Sequence, residues 1–334
     1  MPTIIDVSEL AHVSKSTVSR VVSNKGSVSP AARKRVEDAI RKLGYRPNHF
    51  ARGLKSNKSD IIGVVVVNLA SPFYAQMLSG VQDYISGSDK HLVVTSGYGD
   101  LDREVAVINS LLDRRCDGLL LYVENEVPLE RLAGVHPGNY PIVTMGRMLP
   151  GISKWSARVD NLHGGYLAAR YLLEKGHRRI AHLMGPESYL DARLRRDGFL
   201  RAMAEHGLTE RDYLILSGPY EETFGYQATL RLLDGGARFT AICAGDDDMA
   251  AGVYQALRER GVSVPEQISV VGYDDNFHAK LMCPALTTVR QDVMEMGEAA
   301  VKLLIERLEN PTMAEKHVVL EPKLIERDSV RDLN

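Results

Sequence analysis

From residue 61 onward the chain alternates short apolar runs with amphipathic stretches, and this alternation limits the fold more than any other feature. "IIGVVVVNL" (61–69) is almost continuously apolar, as a strand covered on both faces of a parallel sheet requires. Similar runs recur at "HLVVTSGY", "DGLLLYV", "PIVTMG", "RRIAHLMG", "YLILSG", "TAICAG" and "ISVVGYDD". Helical-period stretches separate most of them, which means α/β units joined by right-handed crossovers. Eight or nine such strands are too many for one short open sheet, and a weak likeness between "IIGVVVVNL" and "RRIAHLMGP" points to two similar lobes. Ligands in such folds sit beyond the carboxyl ends of the strands, so residues just after each strand are the first to inspect.

The first 45 residues have a different texture and read as three short helices. In the first, from Asp6 to Ala11, Val7, Leu10 and Ala11 share one side. Ser14 is placed to cap the second. On that helix Val18, Val21 and Val22 fall at i, i+3 and i+4 as an inner face, while Lys15, Ser16, Ser19, Arg20 and Ser23 lie on other faces. In "SPAARKRVEDAIRKLG" Ser29 caps, Pro30 opens and Gly44 stops a third helix, whose Val36, Ile40 and Leu43 face inward. "YRPNHFARGLKSNKSD" (45–60) reads as a short helix within a polar, basic linker.

Charge separates the same regions. Residues 1–60 carry 12 Lys and Arg against 5 Asp and Glu, and the rest carries 29 against 38, although the whole chain is close to neutral at -2. A basic head on an acidic body points to a polyanion as the head's partner. The three cysteines are scattered and form no CxxC, which argues against a disulfide framework or a zinc site. No basic segment followed by an apolar run opens the chain, and no window approaches a membrane-spanning length, so a cytosolic protein is expected. A short helix held by valines and projecting Lys, Ser, Thr and Arg suits the major groove of DNA, where cations and hydroxyls reach base edges and phosphates.

These features together resemble the lac repressor/galactose repressor family of bacterial transcriptional regulators. The head carries "DVSELAHVSKSTVSRVVS" and "GYRPNHFARGLKS"; "RVDNLHGG", "GHRRIAHLMGP", "ARLRRDGF", "DDDMAAG", "ISVVGYDD" and "PALTTVRQD" follow in family order over nearly the whole chain. The resemblance implies a helix-turn-helix head (1–46), a hinge helix and linker (47–60), and a two-lobed, periplasmic-binding-protein-like body (61–334). The lobes would take about 61–160 with 290–318, and about 161–289 with 319–334. Lys15 and Ser16 would be the main readers of operator sequence, with Thr17, Ser19 and Arg20 adding base and phosphate contacts. Asn48, Ala51, Arg52, Leu54 and Lys55 match the hinge helix, where Leu54 would wedge into a minor-groove base step. His12 departs from the glycine that many members carry in the turn before the recognition helix.

The resemblance also implies an effector cleft between the lobes, lined by Phe73, Tyr74, Tyr122, Arg147, Asp160, Arg195, Tyr220, Asp246 and Asp274. The chemistry suits a sugar. Carboxylates accept vicinal hydroxyls, a guanidinium donates to several oxygens, and an aromatic ring covers a pyranose C–H face. "GRMLPG" and the "VDNLHGGYLAARYLLEKGHRRI" that follows resemble the galactose-repressor branch more than the purine branch, which implies a hexose or hexoside. The implied protein is a homodimeric repressor of a sugar-utilisation operon. It would leave a palindromic operator when the sugar binds, and it would need no cofactor, metal or membrane. The alternatives are a carbohydrate-active enzyme using Asp246 and Asp274 as an acid/base pair, and a purine-type repressor dependent on a corepressor. No G-x-S-x-G, HExxH or P-loop supports an enzyme.

Overall fold

The computed structural model describes residues 2–23, 26–45, 59–136, 139–149 and 151–334. The chain forms two compact units, 1–59 and 60–334.

The first unit holds α1 (Ile4–Leu10), α2 (Lys15–Ser23) and α3 (Pro30–Leu43). Thr3 and Asp6 cap α1 reciprocally, which starts the helix at Ile4, ahead of the Asp6 read from sequence. Val7, Val18 and Val36 are fully buried at the centre of this small core, with Ala11, Val21 and Ala39 around them. Leu10 does not join them and stays 39% exposed, because a helix this short can turn only Val7 and Ala11, one turn apart, squarely inward. The Oγ of Ser29 accepts from the N–H of Ala32 at 3.3 Å, and α3 stops on Gly44 in the left-handed conformation. His12 has φ 52, so the turn into α2 does demand the backbone that glycine favours, and here a histidine bears it.

The second unit contains two six-stranded sheets. The first takes β1 (Ile61–Val66), β2 (His91–Ser96), β3 (Gly118–Leu121), β4 (Ile142–Met145), β5 (Trp155–Val159) and β11 (Lys316–Leu320), in the order β11-β5-β4-β3-β1-β2. The second takes β6 (Ile180–Met184), β7 (Tyr213–Ser217), β8 (Ala241–Ala244), β9 (Ser269–Asp274), β10 (Thr287–Arg290) and β12 (Lys323–Ile325), in the order β12-β10-β9-β8-β6-β7. All pairings are parallel except that of β10 with β12.

Among the described residues twelve strands replace the eight or nine read from sequence. β5 is interrupted by Ser and Arg, while β10 and β12 are too short to carry a pattern. The C-terminal segment divides between the sheets, so that β11 closes the first and β12 the second. The chain passes between sheets after β5, β10 and β11. The second sheet therefore keeps Arg290, and the first extends to Leu320 beyond the expected limit of 318.

Helices cover both faces of each sheet: α4 (Pro72–Ile85), α5 (Leu101–Asp113) and α11 (Val293–Glu309) in the first lobe, and α6 (Asn161–Glu174), α7 (Leu190–Glu205), α8 (Glu222–Asp234), α9 (Asp247–Glu259) and the short α10 (Phe277–Leu281) in the second. α6 and α7 meet at Gly165 and Gly198, where a Cβ would lie 2.0 Å from the carbonyl oxygens of Arg195 and Leu162 respectively. This close approach brings Arg195 of α7 against the start of α6. Among the described residues no helix is long and apolar enough to cross a membrane, and no group of side chains is arranged to hold a metal ion. Cys116, Cys243 and Cys283 are free thiols.

Candidate effector cavity and DNA-reading helix

The carboxyl ends of β1, β3, β8 and β9 open onto a cavity of about 890 Å³. Phe73, Tyr74, Tyr122, Arg195, Tyr220, Asp246 and Asp274 all line it. The first lobe supplies its aromatic wall. Phe73 and Tyr74 open α4 directly after β1, Tyr122 follows β3, and the three rings meet edge to face at centroid distances of 5.0 to 5.7 Å.

The second lobe supplies the polar wall, built around Arg195. This guanidinium is 5% exposed and packs 3.8 Å from the centroid of Tyr273 and 5.5 Å from that of Tyr220. Its Nε donates to Oδ1 of Asn161 at 2.8 Å and its Nη1 to the carbonyl of Gly245 at 2.7 Å. Asp191 and Asp274 lie 3.4 and 3.9 Å from its terminal nitrogens. Arg195 thus has acidic partners and a place in the cavity wall at once. Tyr220 Oη is buried without a hydrogen-bond partner among the described residues, so it retains a donor for a guest.

Asp274 ends β9 with φ 111, and Asp275 follows with φ 56. Such backbone costs about 1–3 kcal/mol per residue and persists only when the surroundings impose it. Here they do. Gln291 Nε2 donates to Asp274 Oδ1 at 2.5 Å. Asp275 accepts from Arg290 Nε at 2.7 Å and also from Arg327. Fully buried Asp247 accepts from the N–H of Asn276 at 2.8 Å and from Thr288 Oγ1 at 2.6 Å, holding the loop from below. Burial pushes the Asp274 carboxyl up to about 7, with Arg195 pulling the other way. Asp246 is raised well above the carboxylate range by burial and then by Asp274. It also caps α9, accepting from the N–H of Met249 at 2.7 Å, so one carboxylate serves both the fold and the cavity.

Two expected members are elsewhere. Arg147 does not line the cavity: it donates to the carbonyl of Glu124 and, at 3.4 Å, to Glu126. Its left-handed neighbour Gly146 lies against the Tyr122 ring. Asp160 is also outside the lining: it caps α6, accepting from the N–H of His163 at 3.0 Å. Asp246 caps its helix in the same way and still lines the cavity, so position and not capping alone keeps Asp160 out. Conversely, Tyr98, Glu124, Tyr189, Asp191 and Asn276 line the cavity and were not singled out. Glu124 lies three residues beyond β3, so the position after a strand was its available signal.

In the head, α2 turns Val18 and Val21 inward and leaves Lys15, Ser16, Ser19 and Arg20 exposed, with Thr17 half-buried. Ser14 Oγ accepts from the N–H of Thr17 at 3.2 Å and lies 2.8 and 2.9 Å from the hydroxyls of Ser16 and Thr17. The hinge candidates Asn48, Ala51, Arg52, Leu54 and Lys55 lie outside the described residues.

A helix-turn-helix unit followed by a two-lobed body with a cavity at its strand ends defines a DNA-binding regulator that carries a small-molecule receptor. Residues 3–48 match the model of bacterial regulatory proteins of the lacI family, and residues 169–330 match a periplasmic binding protein-like domain. The ribose operon repressor of Escherichia coli (strain K12) is 39% identical over 98% of this chain and 100% of its own. The transcriptional regulator GalR of the same strain is 35% identical over 99% of this chain and 96% of its own. The crystal structure of the lac repressor dimer bound to operator and the anti-inducer ONPF superposes with a TM-score of 0.85, at 28% identity, covering 99% of both chains. The chain belongs to the lacI family. It is a DNA-binding transcriptional repressor and not an enzyme, which removes the reading of Asp246 and Asp274 as a hydrolytic pair.

Proposed function

We propose that the protein is a homodimeric repressor of a sugar-utilisation operon, released from a palindromic operator when a hexose or hexoside enters the cavity. The observation that carries the sugar reading is the pairing of an aromatic wall with a polar wall. Phe73, Tyr74 and Tyr122 offer ring faces and edges to C–H groups. Opposite them, Arg195 offers donors, while Asp246 and Asp274 offer acceptors for vicinal hydroxyls. A purine corepressor remains the second reading, favoured by the same aromatic wall. Lys15 and Ser16 are assigned to base reading, and Thr17, Ser19 and Arg20 to further base and phosphate contacts. Asn48, Ala51, Arg52, Leu54 and Lys55 are assigned to the hinge.

Because a ligand held by both lobes biases the angle between them, sugar and operator affinities are coupled, typically by 5- to 150-fold or so. The test is to screen hexoses, hexosides, pentoses and purines for thermal stabilisation, then measure the Kd of each hit with and without saturating operator. Ligand at 100 times its Kd adds roughly 2.7 kcal/mol, an easily visible shift. The reading expects a sugar hit whose Kd rises with operator. A purine whose Kd falls with operator selects the second reading, and a Kd independent of operator refutes both.

A further inference from the structure

Glu124 is 8% exposed, lines the cavity, and neither accepts a hydrogen bond on its carboxylate nor closes an ion pair among the described residues. Its backbone, by contrast, is clamped on both sides. The N–H of Glu124 donates to Glu104 Oε1 at 2.9 Å, and its carbonyl accepts from Arg147. Glu104, 1% exposed, also accepts from the N–H of Asn125 at 3.3 Å and from Asn125 Nδ2 at 3.0 Å. Buried Glu104 and partly buried Arg147 thus fix the main chain so that one further carboxylate faces the cavity with no hydrogen-bond partner among the described residues. Asp191, across the cavity wall on α7, adds a second negative charge, and burial together with Asp191 raises the Glu124 carboxyl well above its usual range.

A buried acceptor left without a partner costs free energy that a bound donor group returns. Arg195 and Arg147 only partly offset the rise at Glu124, and Arg195 makes no direct bond to it, its nitrogens serving Asn161, Gly245, Asp191 and Asp274. Taken on the sugar reading above, on which it rests, we infer that Glu124, backed by Asp191, forms a specificity subsite that accepts a hydrogen-bond-donating hydroxyl or ammonium group of the effector and shuts out phosphorylated sugars. A phosphate at this wall would meet two acidic side chains, Glu124 and Asp191, which repel a negative charge or accept hydrogen bonds and do not supply the cation that a phosphate needs.

The experiment is titration calorimetry of the full chain with matched probes: D-glucose, D-galactose and D-ribose, their terminal phosphates, and D-glucosamine and D-galactosamine. For any parent sugar that binds, the phosphate should bind at least about tenfold more weakly, which is 1.4 kcal/mol or so, and an amino derivative should bind as well or better. Glu124→Gln, which keeps the shape, should narrow the phosphate penalty and weaken the amino sugar. A phosphate that binds as tightly as its parent overturns the subsite, as does an E124Q protein with unchanged preferences. If E124Q fails to fold by circular dichroism, the wild-type comparison decides alone. If neither parent sugars nor derivatives bind, the sugar reading itself falls and the subsite with it, whereas a bound parent with an undiscriminated phosphate sinks only the subsite.

Discussion

Asp275 offers a stringent test of how the cavity is held together, because its carboxylate never reaches the cavity and yet pins the loop that carries Asp274. Its side chain is 3% exposed and meets Arg327, at 13%, and Arg290, at 40%. The two arms should therefore differ in weight. Removing one partner of a buried ion pair costs about 3–5 kcal/mol, because the other charge is stranded. An arm exposed to solvent is worth under about 1 kcal/mol. Asp275→Ala strands Arg327 and also places alanine at φ 56, where a Cβ-bearing residue without a local polar side chain pays about 1–2 kcal/mol. The expected loss is about 4 kcal/mol, nearer the lower end of the sum since the chain can relax. Arg290→Ala, which keeps the buried arm, should cost about 1 kcal/mol or less. Urea unfolding followed by far-UV circular dichroism measures both. If Asp275→Ala fell within about 1 kcal/mol of wild type, or if the two variants cost the same, burial would not be what gives this clamp its strength.

Exchanging Lys15 and Ser16 should change which operator is preferred, by about 1–3 kcal/mol per misread base pair, in a binding-site selection; an unaltered base preference would move the recognition surface elsewhere. Asp274 gives a pH prediction. Its carboxyl rises from 3.8 to about 7 through burial, against Arg195 and the Gln291 hydrogen bond and with Asp248 and Asp191 adding to the rise. A raised folded-state value means that this group's contribution to stability is fully present below about pH 4 and is lost as pH rises through 7. Thermal midpoints of the ligand-free protein should show that slope, and Asp274→Asn should flatten it. Hydroxyls that donate to Asp274 favour its ionised form, so effector binding near pH 7 should release protons. Calorimetry in buffers of different ionisation enthalpy reads that release directly, and Asp274→Asn should abolish both it and the response to sugar.

The local physics of the head was legible in the sequence because its signals are short-range. Ser29, Pro30 and Gly44 mark α3 by what each does to its own backbone, and the valines of α2 face inward because helical periodicity leaves them no alternative. The α/β class was equally legible, since strands buried on both faces must be apolar throughout, as β1 and β3 are. Asp246 and Asp274 lie at strand ends, where a sequence reading looks first, whereas Arg195 lies inside α7 and was pointed to by the family resemblance; all three line the cavity. Only the tertiary structure decided what each polar group had left to offer. Asp160 caps α6 and Arg147 donates to the carbonyl of Glu124, both outside the cavity lining, while Glu124 itself, unremarkable in "LYVENEV", emerges with its backbone clamped and its carboxylate without a hydrogen-bond partner among the described residues. The short strands β5, β10 and β12 likewise exist because neighbours far away in the chain supply their hydrogen bonds. A residue type announces what chemistry it can do; whether that capacity is already satisfied depends on which partners the fold sets beside it, 23 residues away for Arg147 and 20 for the backbone of Glu124, and residue type and periodicity do not name them.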